Sequence, residues 1–229
     1  MLGYHSKQPF AQPIPSEGNT MSRFARSITG IAITLTLLIL TPAHLLAQEA
    51  DIQAGVPVAL SSCGQSPGPA YVKIFLRRLG IEHEELLQAT AQDLIDRRDA
   101  GNPIKTLVIV CGASLKGMGA AGVSIEDELR RTAALIEEAK KQGILIIGAH
   151  VEGMDRRAQG ASEGDNTDEQ SIDAVCPNAD LLLVKSAGNE DRRFTIISEN
   201  DGIPLLLYEK NMELSGVLEG LFGISGTLR

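Results

Sequence analysis

Histidine is scarce where chemistry would need it: of four in the 229-residue chain, only His83 and His150 lie beyond residue 50. His150 ends the apolar run from Ile144 to Ala149, with Glu152, Asp155 and Arg156 close behind it. An imidazole so placed suits a general base oriented by a carboxylate, or one ligand of a metal. The plainer alternative is a histidine bonded to backbone at a strand end. His83, beside Glu82, Glu84 and Glu85, reads as a solvated surface residue. A nucleophile for His150 would be Ser66 or Cys63.

Other chemistries fail on single positions. The stretch Gly117-Met118-Gly119-Ala120-Ala121-Gly122 spells the dinucleotide pattern, but Ser114-Leu115-Lys116 separates it from its strand and it is not the first strand-to-helix turn. Gly112 to Gly117 has phosphate-loop spacing with Met118 where lysine must stand. Cys63 lacks the arginine six positions on that a phosphatase loop uses; Pro69 is there. Glu152, Asp155, Asp165, Asp168 and Asp191 match no standard metal spacing. No cofactor and no metal are therefore expected.

The elements that must position these residues follow from hydrophobic pattern. Leu107 to Cys111 is an apolar run rich in β-branched residues, as in a strand covered on both faces. Gly112 stops it, and a glycine-rich loop follows. Ser124 with Asp127 forms a capping box for a helix whose stripe is Ile125, Leu129, Ala133, Ile136 and Ala139, ending at Gly143. Further strands are expected at 56–61, 144–149, 181–184 and 203–208, with a weak one at 81–87. Helices are expected at 70–79, 91–98, 171–175, 189–199 and 214–222, and a polar loop at 158–170. Alternating strands and helices imply right-handed crossovers and an α/β three-layer sandwich with a mainly parallel sheet, flavodoxin-like or Rossmann-like.

Residues 1–20 read as an unstructured extension or a misassigned start. Residues 21–47 have the layout of a signal peptide: Arg23 and Arg26 precede an uncharged, strongly apolar stretch ending in Leu45-Leu46-Ala47. An uncleaved membrane anchor is the alternative, and either places the single α/β domain at 48–229 outside the cytoplasm, periplasmic or secreted. The first 47 residues carry Lys7, Arg23 and Arg26 against Glu17, so the net charge of −8 understates how acidic the domain is. Nucleic acid is excluded as partner, and a membrane enters only through the N-terminal segment. Three cysteines leave at least one unpaired. Cys63 and Cys111 each precede a glycine at a strand end, so on neighbouring strands their sulfurs would lie level; a bridge between adjacent parallel strands is strained, and two buried thiols are the plainer expectation.

The blocks Gly64-Gln65-Ser66-Pro67, Gly112 to Gly122, His150-Val151-Glu152-Gly153 with Arg157, Gly188-Asn189-Glu190-Asp191 with Phe194-Thr195, and Ile203-Pro204-Leu205 together resemble an exported bacterial family known as domain of unknown function 6305, from about Val58 to Phe222. The resemblance implies an extracytoplasmic location and one α/β domain, and carries no catalytic residues. The polar segment from Ala158 to Gln170 looks longer than the family's, a lid or an idle insertion.

The site expected from the residues lies just after the strands: Ser66, Ser114, Lys116, Gly117, Gly119, His150, Glu152, Arg157, Lys185, Asn189 and Asp191. Glycine-flanked loops with both signs of charge suit a small polar or anionic ligand held by Lys116, Arg157 and backbone amides. The first reading is a non-enzymatic binding or accessory domain. A hydrolase using His150 with Ser66 or Cys63 is the alternative, and a protein-interaction module the third.

Overall fold

The apolar runs at the centre of the sheet become strands buried on both sides, and the turns between them fix the order. The computed structural model describes residues 52–157 and 167–224. The N-terminal extension, the segment read as a signal peptide and the polar stretch 158–166 lie outside them. The chain runs β1 (Val58–Cys63), α1 (Gly68–Arg78), β2 (His83–Glu85), α2 (Ala91–Asp99), β3 (Thr106–Cys111), α3 (Leu115–Ala121), α4 (Ile125–Gln142), β4 (Leu145–His150), α5 (Thr167–Val175), β5 (Leu181–Lys185), α6 (Arg193–Asp201), β6 (Leu205–Tyr208) and α7 (Glu213–Leu221). All pairings are parallel, in the order β2-β1-β3-β4-β5-β6. Of the two arrangements expected, this is the flavodoxin-like one.

Alternate residues of the strands feed two cores. On one face Val58, Leu60, Val108, Val110 and Ile147 pack with Val72, Phe75 and Leu76 of α1 and Leu214, Leu218 and Leu221 of α7. On the other Ala59, Leu107, Ile109 and Ile146 meet Leu94 of α2, Leu135 and Ala139 of α4, Ile172 of α5 and Phe194 of α6. The result is a three-layer sandwich, with the sheet as the middle layer.

Four local expectations change. The glycine-rich stretch after β3 is a helix: Ser114 caps α3 by accepting from the Gly117 amide at 3.0 Å, Met118 is buried, and Gly122 ends it in the left-handed region at φ 71. Helix α5 begins at Thr167, earlier than the expected Ser171, and α6 at Arg193, later than Asn189. The capping box of α4 and its Gly143 stop form as expected, but the buried face is Glu128, Thr132, Leu135, Ile136 and Ala139. Ala133 is exposed. The apolar stripe points slightly aside because two polar residues hold core positions.

Glu128 explains that rotation. Its fully buried carboxylate accepts from the Gly64 amide (2.9 Å), Gln65 Nε2 (2.9 Å), and the Arg131 guanidinium (3.1 and 3.0 Å). Arg131 in turn donates to the carbonyls of Ala89 (2.7 Å) and Ser62 (2.6 Å). A single acid thus ties α4 to the end of β1, where Gln65 sits in the left-handed region at φ 57. Removing it leaves the Arg131 cation without its counter-charge and the Gly64 amide without its acceptor. Glu128→Ala is expected to lower stability by about 3–5 kcal/mol in urea unfolding, whereas Glu137→Ala, a solvent-facing acid paired with Lys141 on the same helix, should change it by less than about 1 kcal/mol.

Candidate functional site

In a sheet of this order, the crevice between the carboxyl ends of β1 and β3 is where a ligand is expected. Here protein groups fill it. The Ser66 amide donates to the Gly112 carbonyl (3.1 Å), Gly68 to Ser66 Oγ (3.2 Å), Gly112 to Ser171 Oγ (3.0 Å), Ala113 to the Asp168 carboxylate, and Ser114 to the Gly64 carbonyl (2.8 Å). With Gly64 given to Glu128, these amides have no direction left to offer an anion. Helix α3 closes over the same place: a Cβ on Gly117 would overlap the Gln65 carbonyl oxygen, so the two backbones touch there. Lys116 is exposed on α3, and Gly119 borders open space.

His150 is fully buried at the end of β4. Its Nδ1 donates to the Cys111 carbonyl at 3.3 Å, which fixes the tautomer and leaves Nε2 unprotonated; Nε2 has no hydrogen-bond partner among the described residues. The ring stacks on Phe194, centroids 5.3 Å apart at 27°. Room for it comes from Gly188, where a Cβ would lie 2.6 Å from His150 Cδ2. Burial, with the Arg157 cation adding to it, pushes the imidazole down to about 4 against the upward pull of its bond to Cys111, so it is neutral at physiological pH. Neither Ser66 nor Cys63 bonds to it. Cys63 is buried among core residues, and burial pushes its thiol up to about 11.

Arg157 is buried too, and its donors are used inside the protein. Nε bonds Glu169 (2.9 Å), one terminal nitrogen bonds the Gly188 carbonyl (2.6 Å) and Asp191 (3.0 Å), the other Asp191 (2.9 Å) and Glu169 (2.9 Å), and the guanidinium lies 5.1 Å over Phe194. Burial works against charge on Asp191, yet Arg157 and the Arg193 amide hold its carboxyl below the usual range. The same burial raises Glu169 in spite of its two arginine neighbours. Asn189 is a cap: its Oδ1 accepts from Phe194 (2.9 Å) and its Nδ2 donates to Thr195 Oγ1 (2.8 Å). Arg157, Asn189 and Asp191 therefore join the loops after β4 and β5 to α5 and α6, and the expectation that Arg157 would hold an anion meets a guanidinium already encircled by acceptors.

An open cleft remains one step along the edge. It has about 220 Å³ and is lined by Tyr71 of α1, Val151, Glu152, Gly153 and Asp155 after β4, Lys185 ending β5, and Asn211 after β6. Lys185 is half-buried and makes no ion pair among the described residues. A second hollow of about 260 Å³ between α5 and α6 has Arg193 as its cation, but that arginine is already paired with Asp173 and Glu169. Of the residues expected at the site, only Glu152 and Lys185 line the first cleft. Tyr71, Asp155 and Asn211 were not foreseen there, because no spacing links three residues on separate elements.

One pattern passed over in the sequence is Gly64-Gln65-Ser66-Pro67-Gly68, which spells G-x-S-x-G between a strand and a helix. In a nucleophile elbow the residue after the serine supplies an oxyanion amide. Pro67 has no amide hydrogen to give. The left-handed residue is Gln65 rather than the serine, and Ser66 Oγ accepts from Gly68 with no histidine beside it. The motif here serves as a tight turn. No group of His, Cys, Asp and Glu side chains suited to a metal occurs among the described residues.

Comparison with known proteins adds a family and little chemistry. The family model described as "Domain of unknown function (DUF6305)" matches residues 55–222. No match was found among curated proteins. Among solved structures, a GDSL-like lipase from Bacteroides thetaiotaomicron aligns at 17% identity and a TM-score of 0.31, covering 66% of this chain and 67% of that one. The SGNH-hydrolase family esterase AlinE4 aligns at 12% identity and 0.28, covering 67% and 76%. At such scores the likeness says nothing of chemistry.

The buried imidazole sets a pH dependence. Its folded value near 4 lies below the ordinary 6.5, so between those values the unfolded chain binds the extra proton and stability falls with acidification. The wild type is expected to lose about 3 kcal/mol through this group from pH 7 to pH 4, seen as a slope in unfolding free energy that His150→Gln removes.

Proposed function

The chain belongs to the family of the domain of unknown function DUF6305, and we propose that it is an exported, non-enzymatic binding domain that holds a small polar ligand with an anionic group in the cleft at the ends of β4, β5 and β6. One observation carries this: Lys185 stands half-buried in a polar cleft without an ion-pair partner among the described residues. A cation so placed favours a carboxylate or phosphate, and the neighbouring Asn211 amide and Tyr71 hydroxyl suit hydroxyl or amino groups on the same ligand. The Asp155 and Glu152 carboxylates disfavour ligands of high negative charge, which narrows the class to monoanions and zwitterions.

Catalysis finds less support. His150 is neutral and walled in, Ser66 lacks a base, and Pro67 removes an oxyanion donor. Export is supported by Arg23 and Arg26 ahead of the uncharged stretch 27–47, and the acidic charge argues against nucleic acid.

A thermal-shift screen of amino acids, hydroxy acids, sugar acids and phosphate monoesters tests the reading. A ligand at 100 times its Kd adds about 2.7 kcal/mol, several degrees for a domain of this size. Lys185→Ala is expected to abolish the shift, while Lys116→Ala, exposed on α3, leaves it intact. No shift across the panel overturns the reading. Release of acid from short-chain esters that disappears in Ser66→Ala replaces it with the hydrolase alternative.

A further inference from the structure

The three cysteines are free and buried in the structure. Cys63 and Cys111 are register partners on the neighbouring parallel strands β1 and β3, level with one another as their positions before Gly64 and Gly112 lead one to expect. The sulfur that Cys111 meets is a different one: its Sγ lies 3.9 Å from Sγ of Cys176. Cys176 opens the short 3₁₀ turn Cys176–Asn178 that follows α5. The contact therefore crosses from the sheet to the helix layer instead of running along the sheet.

We infer that Cys111 and Cys176 are joined by an intrachain disulfide in the mature protein, and that Cys63 is the odd thiol left over. Both sulfurs are fully buried in one core cluster with Val175, Ile172 and Phe194, 3.9 Å from each other. Bringing them from 3.9 Å to bonding distance takes a movement of about 2 Å, which side-chain rotation and a small shift of the 3₁₀ turn supply. Cys63 has no such approach to either sulfur among the hydrogen-bond contacts of the described residues.

The chemistry is thiol–disulfide exchange with a small or protein disulfide as oxidant. One cysteine thiolate attacks the donor disulfide, forming a mixed disulfide and releasing one donor thiolate. The second cysteine thiolate then attacks the chain's own sulfur in that mixed disulfide, forming the Cys111–Cys176 bond and releasing the second donor thiolate. The two protons lost by the cysteines pass to the two donor thiols, and the donor is reduced by two electrons. Since both sulfurs are sealed in the folded protein, exchange occurs while α5 is still undocked. The bond then holds α5 in place, and with it the Ser171 hydroxyl and Asp168 carboxylate that secure the Gly112 and Ala113 amides. The ring it closes contains α4, β4, His150 and Arg157.

The test is refolding of the full chain, reduced and denatured, in a mixture of reduced and oxidised glutathione, followed by alkylation under denaturing conditions and peptide mass mapping. The expected result is one alkylated cysteine, Cys63, with a peptide linked through Cys111 and Cys176; Cys63→Ser then shows no alkylation at all. Reduction of the product is expected to lower Tm by about 5 °C or more. Three alkylated cysteines, or a linked peptide that contains Cys63, overturns the inference. A chain that does not regain its fold in this buffer is instead opened in sub-denaturing urea with oxidised glutathione, and the same two outcomes decide.

Discussion

A parallel sheet leaves every strand ending in backbone amides that no neighbouring strand will satisfy, and those amides are buried wherever a helix must start close by. This protein meets the constraint with buried acids. Glu128 reaches from the first turn of α4 to the amide after β1 and holds Arg131 in the same contact. Asp168 and Ser171 reach from α5 to the amides after β3. Arg157, held between Glu169 and Asp191, ties the loop after β4 to the loop after β5. Each is a charged or polar group wholly or partly withdrawn from water, and partners distant in the chain converge on it.

That solution decides where a ligand can go. The crevice between β1 and β3, the customary ligand position for this strand order, is sealed by its own hydrogen bonds and by α3 lying against Gln65. An open cleft lies farther along the edge, where Lys185 ends β5 and α7 begins after Asn211. His150 stands between the two regions as a neutral, stacked side chain. The desolvation that keeps it uncharged is the same effect that makes the surrounding ion pairs dependent on one another.

Much of the architecture was legible. Leu107 to Cys111, Leu145 to Ala149 and Leu181 to Val184 are strands because runs of β-branched and aliphatic residues buried on both faces have no other economical use. Ser124, Asp127 and Gly143 mark the ends of α4 by local hydrogen bonding alone. The family resemblance from about Val58 to Phe222 agrees with the match over residues 55–222. Helix α3 reads as a loop in the sequence because Gly117 and Gly119 lower the propensity of so short a segment, while the backbone contact that requires Gly117 is made with a residue far earlier in the chain.

The sequence by itself determined the succession of the strands and of every helix but α3, the three-layer class and the edge of the sheet that carries polar residues, because those follow from periodicity and from capping groups within a few positions of one another. Only the tertiary structure decided what the polar residues do there. Glu128 looks like an acid complementing a helix dipole until Gly64 and Arg131 are seen around it, and Arg157 looks like an anion ligand until Glu169 and Asp191 enclose it. Cys111 is level with Cys63, as its place before Gly112 implies, yet the sulfur it meets is that of Cys176 from the helix layer. The physical reason is common to all three: the free energy of a buried charge or thiol is set by partners distant in the chain, and no local pattern records which of them will converge.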